Sequence, residues 1–214
     1  MSVVALVSSW FIPVLIAGLF FWDTGVLLFS AAMVGLVVVV ISSDVFHGVA
    51  HYHWAFLLFL VTEGCLFLSF LNSGSWFYSG DWVSVSDSLE IPLVACFLLL
   101  GSSISITGFH HVYSWGYSSV LLWLTAFLGC CFVLLQIIEF SEAVSNLISN
   151  GFYSACLSTV GLHFFHVWVG VLAMIAVLWS GAARTGFYFC STLTWYWHFV
   201  DYVWLLVYAF IYVC

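Results

Sequence analysis

The sequence predicts an all-α membrane protein with seven transmembrane helices. Three observations lead there. Hydrophobic residues make up 65% of the 214 and charged residues only 5%, whereas a soluble chain needs a far larger charged surface. Mean hydropathy is +1.24. The apolar residues also come in runs near the ~20 residues that a bilayer core asks of one helix. The chain has room for about seven such runs with short loops and none for a second, soluble domain, so residues 1–214 are expected to form a single transmembrane domain.

The elements follow in order. The opening stretch, MSVVALVSSWFIPVLIAGLFFW, lacks a basic leader and is too long for a signal's apolar core, so it reads as a first span over about 4–22. A second span covers about 25–41. The loop 42–53, SSDVFHGVAHYH, is the expected break between a two-helix and a five-helix unit. The third span runs over 54–71, followed by a Ser- and Asp-rich loop over 72–90. The fourth covers 91–109, with Pro92 where a first-turn proline is tolerated. The fifth covers 119–140. The sixth, 152–179, is long enough to tilt or protrude. The seventh covers 194–213.

Seven spans put the N-terminus and every second loop on one side. That side holds Arg184 and the loop histidines His47, His51, His53, His110 and His111. Asp23, Asp81, Asp87, Glu90 and Glu142 fall on the other, with Asp44 the exception. The positive-inside rule then places the N-terminus inside and the C-terminus outside. Net charge is −8, with one Lys or Arg in all. That excludes a nucleic-acid footprint and a polybasic lipid-binding segment. The seven cysteines form no C-x-x-C pair and are odd in number, so they read as small apolar packing residues. Phosphate loops, nucleophile elbows and zinc-protease motifs are absent from the sequence. Phe, Val, Leu, Gly, Trp and Cys, encoded by T- and G-rich codons, abound; that suits a strand-biased organellar gene.

Ionisable groups inside apolar runs carry what chemistry there is. Glu63 sits near the centre of the third span. Glu139 lies near the end of the fifth, with Gln136 three residues before it. His163 and His166 share one face of the sixth, and His198 and Asp201 one face of the seventh. A charge at mid-bilayer costs about 2.5–3.5 kcal/mol on insertion scales, so each group must be paired, neutral or near an interface. Three readings stand side by side. His166 and His198 are positioned as haem ligands on facing helices, although no other span offers a mid-span histidine for a second pair. Glu63 is positioned as a proton relay. The third reading has all of these groups in interhelical hydrogen bonds that fix the bundle, and the residues favour it.

Five stretches together resemble the cytochrome c oxidase subunit III family. They are VTEGCLF (61–67), SLEIPLVACFLLLGSSISITGFHH (88–111), LLQIIEF (134–140), GLHFFHVWVG (161–170) and WYWHFVDYVWLLVYAFIY (195–212). They stand in the family's order and cover residues 54–214. The resemblance implies seven helices arranged as two plus five around a lipid-filled cleft. It implies a non-redox core subunit of the terminal oxidase in the mitochondrial inner membrane. Such a subunit contacts subunit I chiefly and subunit II, with accessory subunits and phospholipids, and supports assembly and sustained proton-coupled oxygen reduction. Haems and copper then belong to the partner subunits, and this chain holds no cofactor or catalytic centre of its own. The family's Arg- and Glu-bearing lipid segment after the second span is altered here. Asp44 aligns, the arginines are missing, and His47, His51, His53 and Arg184 stand as lipid-facing substitutes. A quinol oxidase subunit III, a bacterial plasma-membrane homologue or a membrane scaffold without redox role are the alternatives.

Overall fold

The computed structural model describes residues 53–78, 86–113, 115, 117–143 and 150–213, together with Gly25, Phe29 and Ala32. The chain divides into two compact units, Met1–His51 and Tyr52–Cys214, and the division falls inside the 42–53 loop. In the first unit Gly25, Phe29 and Ala32 are helical. The spans expected over 4–22 and 25–41 otherwise lie outside the described residues, as do Asp44, His47 and His51.

Among the described residues, the regular elements of the second unit are all helical: α1 His53–Phe77, α2 Ile91–His111, α3 Ser118–Glu142, α4 Gly151–Ser180, a single turn α5 Ala182–Thr185, and α6 Phe187–Val207, which widens into a π-helical turn at Tyr208–Val213. Among the described residues, five helices are long and apolar enough to cross a membrane, against the seven expected for the whole chain. Successive long helices alternate in direction. One end of the bundle, its head, gathers Phe77, Ile91, Glu142, Gly151 and Val213. The foot gathers His53, His111, Ser118, Ser180 and Phe187.

Two expected boundaries move. The polar start of the 72–90 loop is the last turn and a half of α1. Ser75 turns its hydroxyl back to the Leu71 carbonyl at 3.1 Å. Gly74 faces Ala155 and Cys156 of α4, so this end of α1 lies beside α4. The seventh span likewise begins at Phe187 rather than 194, because Cys190 and Leu193 pack into the core and Ser191 bonds His110 across to α2. His110 and His111, expected in a loop, form the last turn of α2. The reversal between α4 and α6 is short because Gly181 and Gly186 bracket α5 at φ 85° and 87°, a region where an L side chain is strained.

The bundle is apolar outside and carries a set of polar groups within its apolar core. Phe97, Ile104, Trp123, Phe127, Leu134 and Tyr202 face outward, while Ser102, Thr125, Gln136, Glu139, His163 and Asp201 are buried. Water would reverse that arrangement, and lipid favours it, because polar groups are costly in hydrocarbon unless they bond one another. Trp197 fills the centre. Its indole donates to Ser102 Oγ on α2 at 2.8 Å and lies where Gly129 of α3 and Gly170 of α4 leave out a side chain. A Cβ on either glycine would come within 2.8 Å of the ring. Small residues that admit close approach are the usual device of helix packing in lipid.

Candidate functional site: an intramembrane polar network

Three polar joints tie the helices together. The first joins α1 to α4. Glu63 Oε2 lies 3.1 Å from His166 Nε2. The other ring nitrogen, Nδ1, is 2.8 Å from the Leu162 carbonyl. A carbonyl only accepts, so Nδ1 carries hydrogen. The Glu63–His166 contact then holds a single proton, either on the carboxyl of a neutral pair or on the imidazole of an ion pair. One turn away, His163 Nε2 donates to the Val200 carbonyl of α6 at 3.1 Å, and the Tyr196 hydroxyl donates back to the His166 carbonyl at 3.1 Å. Phe67 packs against both histidine rings.

The second joint ties α6 to α2. His198 Nδ1 is 2.9 Å from Ser103 Oγ, and Nε2 is 3.2 Å from Thr107 Oγ1. Thr107 gives its own hydrogen to the Ser103 carbonyl at 2.8 Å, so it accepts from His198 Nε2–H. A neutral ring then accepts at Nδ1 from Ser103. The buried Asp201 carboxyl lies one turn on, with Oδ2 4.0 Å from His198 Nδ1. Ser103 faces that carboxyl as well, but its hydrogen is directed to the ring and both Asp201 oxygens remain without a hydrogen bond.

The third joint closes the head. Ser86 donates to Glu139 Oε1 at 2.8 Å, and Gln136 Nε2 donates to Oε2. Tyr208 reaches the Ser88 carbonyl at 3.1 Å. Together these fasten the 86–90 segment onto α3 and α6.

Of the sequence-predicted residues, Glu63 meets His166 and Gln136 meets Glu139, whereas His163 and His198 bond other partners, so they do not form one cluster. His166 and His198 each have both nitrogens engaged, so neither presents a free nitrogen to an iron. Among the described residues, no three His, Cys, Asp or Glu side chains converge as metal ligands. His198 binds α2, and the link to α4 runs through Val200 and Tyr196. Glu63 has a partner that its own sequence neighbourhood does not show. His53 is the first residue of α1, and Arg184 is exposed on α5 at the foot. Sequence reasoning passed over Ser103, Thr107 and Trp197. The signal for the first two was their i, i+4 spacing within GSSISITG, which places both on one face.

A chamber of about 680 Å³ opens between α1, α4 and α6 beside the first joint. Its walls are mostly apolar and aromatic, with Glu63, His166, Tyr196, Thr185 and Thr192 as the polar exceptions.

Comparison with known proteins gives one answer. The family model for cytochrome c oxidase subunit III matches residues 1–214. Cytochrome c oxidase subunit 3 of Ornithorhynchus anatinus is 34% identical, over 74% of this chain and 68% of that protein. The Mus musculus protein of the same name is 33% identical over the same shares, 74% and 68%. That of Aedes aegypti is 29% identical, again over 74% and 68%.

Proposed function

The chain belongs to the cytochrome c oxidase subunit III family, and on that premise we propose that it is a non-redox core subunit of a mitochondrial terminal oxidase. In this reading it holds no haem or copper; those groups sit in subunits I and II, and subunit I is its main contact. It serves the assembly and sustained proton-coupled turnover of the complex. The whole chain forms one seven-helix domain, two helices and five around a lipid-filled cleft, with its N-terminus in the matrix and its C-terminus in the intermembrane space.

One observation carries the proposal. The buried His163 and His166 each engage a neighbouring helix through Nε2, at the Val200 carbonyl and at Glu63, in a bundle whose outer surface is apolar. That is the chemistry of a part that holds shape within a larger membrane assembly. The chamber beside Glu63 and His166 supports the lipid role, since its walls suit hydrocarbon. The lone Arg184 at the foot supports the orientation.

The test is co-purification. A tag on this chain should bring down the oxidase core subunits and a haem absorption spectrum that belongs to them. A chain that purifies alone with its own haem overturns the proposal. Copper ligands in the accompanying subunit II distinguish a cytochrome c oxidase from a quinol oxidase.

A second reading is favoured by the one-proton contact between Glu63 and His166: the pair is proton-linked as well as structural. A carboxyl band in infrared difference spectra that disappears in Glu63→Gln and shifts with redox state of the complex would support it. A band indifferent to turnover leaves the structural role alone.

A further inference from the structure

We propose that the outer face of α6 around Tyr202 docks a transmembrane helix of another subunit, one that brings a hydrogen-bond acceptor to the Tyr202 hydroxyl. This names a docking face for the assembly proposed above and rests on that reading.

The first argument is a hydroxyl exposed at the wrong depth. Tyr202 is 66% exposed. Its ring stacks on His198 with centroids 6.4 Å apart, and among the described residues its hydroxyl meets no hydrogen-bond partner. His198 bonds Ser103 and Thr107 of α2. Tyr202 lies one turn nearer the head, level with the middle of α2, so either end of that helix is about 15 Å away at 1.5 Å per residue. Lipid ester oxygens lie at the edge of the hydrocarbon, beyond the reach of this phenol. Hydrocarbon offers no acceptor, and an unmatched donor is costly there.

The second argument is contrast. Thr62, Ser69 and Thr107 also face outward. Each returns its hydrogen to a carbonyl of its own helix, at Phe59, Leu66 and Ser103, over 2.7, 2.7 and 2.8 Å. A phenol stands too far from its own backbone to do the same. Its seat is also firm, because the His198 ring beneath it is held at both nitrogens. The hydroxyl is thus aimed outward before a partner arrives, which lowers the cost of docking.

The third argument concerns the source of the acceptor. Residues 10–22 and 31–41, which make up most of the first two expected spans, contain no side-chain oxygen. The acceptor is therefore assigned to another chain, in a segment that crosses the bilayer beside α6. Trp195 and Leu206 share that face of α6 and are exposed, so the partner helix also finds apolar surface above and below the hydroxyl.

The experiment uses the oxidase with one copy of this chain, in nanodiscs. A lipid-soluble diazirine is photolysed, and labelled residues are mapped by mass spectrometry. The same labelling is run on the full chain released from the other subunits. Tyr202 and Leu206 should be unlabelled in the complex and labelled after release. The buried Trp197 and Phe132 should stay unlabelled in both, as the check that the bundle remains folded. Tyr202→Phe keeps the ring and its stacking. It should weaken the hold of the complex on this chain about threefold, the loss of one hydrogen bond between membrane helices. That is read as release across a detergent titration, with the Tm of the released chain unchanged. Equal labelling of Tyr202 in the complex and in the released chain overturns the proposal. So does protection that persists after release, which puts the cover within this chain, or release of the Tyr202→Phe chain at the unaltered detergent concentration. Those outcomes leave the oxidase reading standing, whereas a chain that purifies with no other subunit ends both.

Discussion

Glu63 and His166 meet at 3.1 Å although 103 positions separate them, and the Leu162 carbonyl beneath the ring leaves one proton between them. A glutamine at position 63 can still donate to Nε2, whereas an aliphatic residue cannot. Glu63→Gln should therefore assemble close to normally. Glu63→Leu leaves the buried His166 Nε2 unmatched and should lower the amount of assembled complex, read by the haem spectrum per milligram of membrane protein.

His198 is clamped at both nitrogens by Ser103 and Thr107. His198→Phe should lower assembled complex more than turnover per complex. A double-mutant cycle with Thr107→Val should give a coupling of about 0.6 kcal/mol, typical of hydrogen bonds between membrane helices. Normal assembly with lost turnover would overturn the structural role.

Gly129 and Gly170 make room for Trp197. A methyl group at Gly129 would stand 2.7 Å from Val171 Cγ2 and 2.8 Å from the indole. Gly129→Ala and Gly170→Ala should each destabilise by about 1–3 kcal/mol, seen as a lower Tm of the complex. Trp197→Leu should relieve much of the added cost of Gly170→Ala, because it removes the atoms in conflict.

Ser86 holds the 86–90 segment to a buried carboxylate. Ser86→Ala should speed hydrogen exchange at 86–90 and leave the centres of α2 and α3 protected. Unchanged exchange at 86–90 would show that Tyr208 alone suffices to hold the segment.

The apolar runs made the five described spans legible because each is long and little interrupted. Their ends were less so. Asn72 to Ser75 reads as loop in composition, yet these residues stay helical, with the Ser75 hydroxyl folded back on the Leu71 carbonyl. Residue types at the joints were legible too, since any ionisable group in such a run invites attention. Their partners were not. Ser103 looks like a small packing residue until the crossing of α2 and α6 brings it to His198, 95 positions away, and no sequence period encodes that crossing. Trp197 was hidden by abundance, being one of 12 tryptophans.

The terminal turn, Tyr208–Val213, is wound wider than the helix it continues. Each residue of an ordinary α-helix advances about 100° around the axis, and a π-turn takes up residues without that full rotation. The end of the chain is thus phased by counting: delete one residue among these six, and every later side chain is swung onto another meridian. Ile211 and Tyr212, now turned inward, keep their bearing only while the count is kept. The length of this tail is a setting of angle, and a one-residue deletion there should matter more than many substitutions.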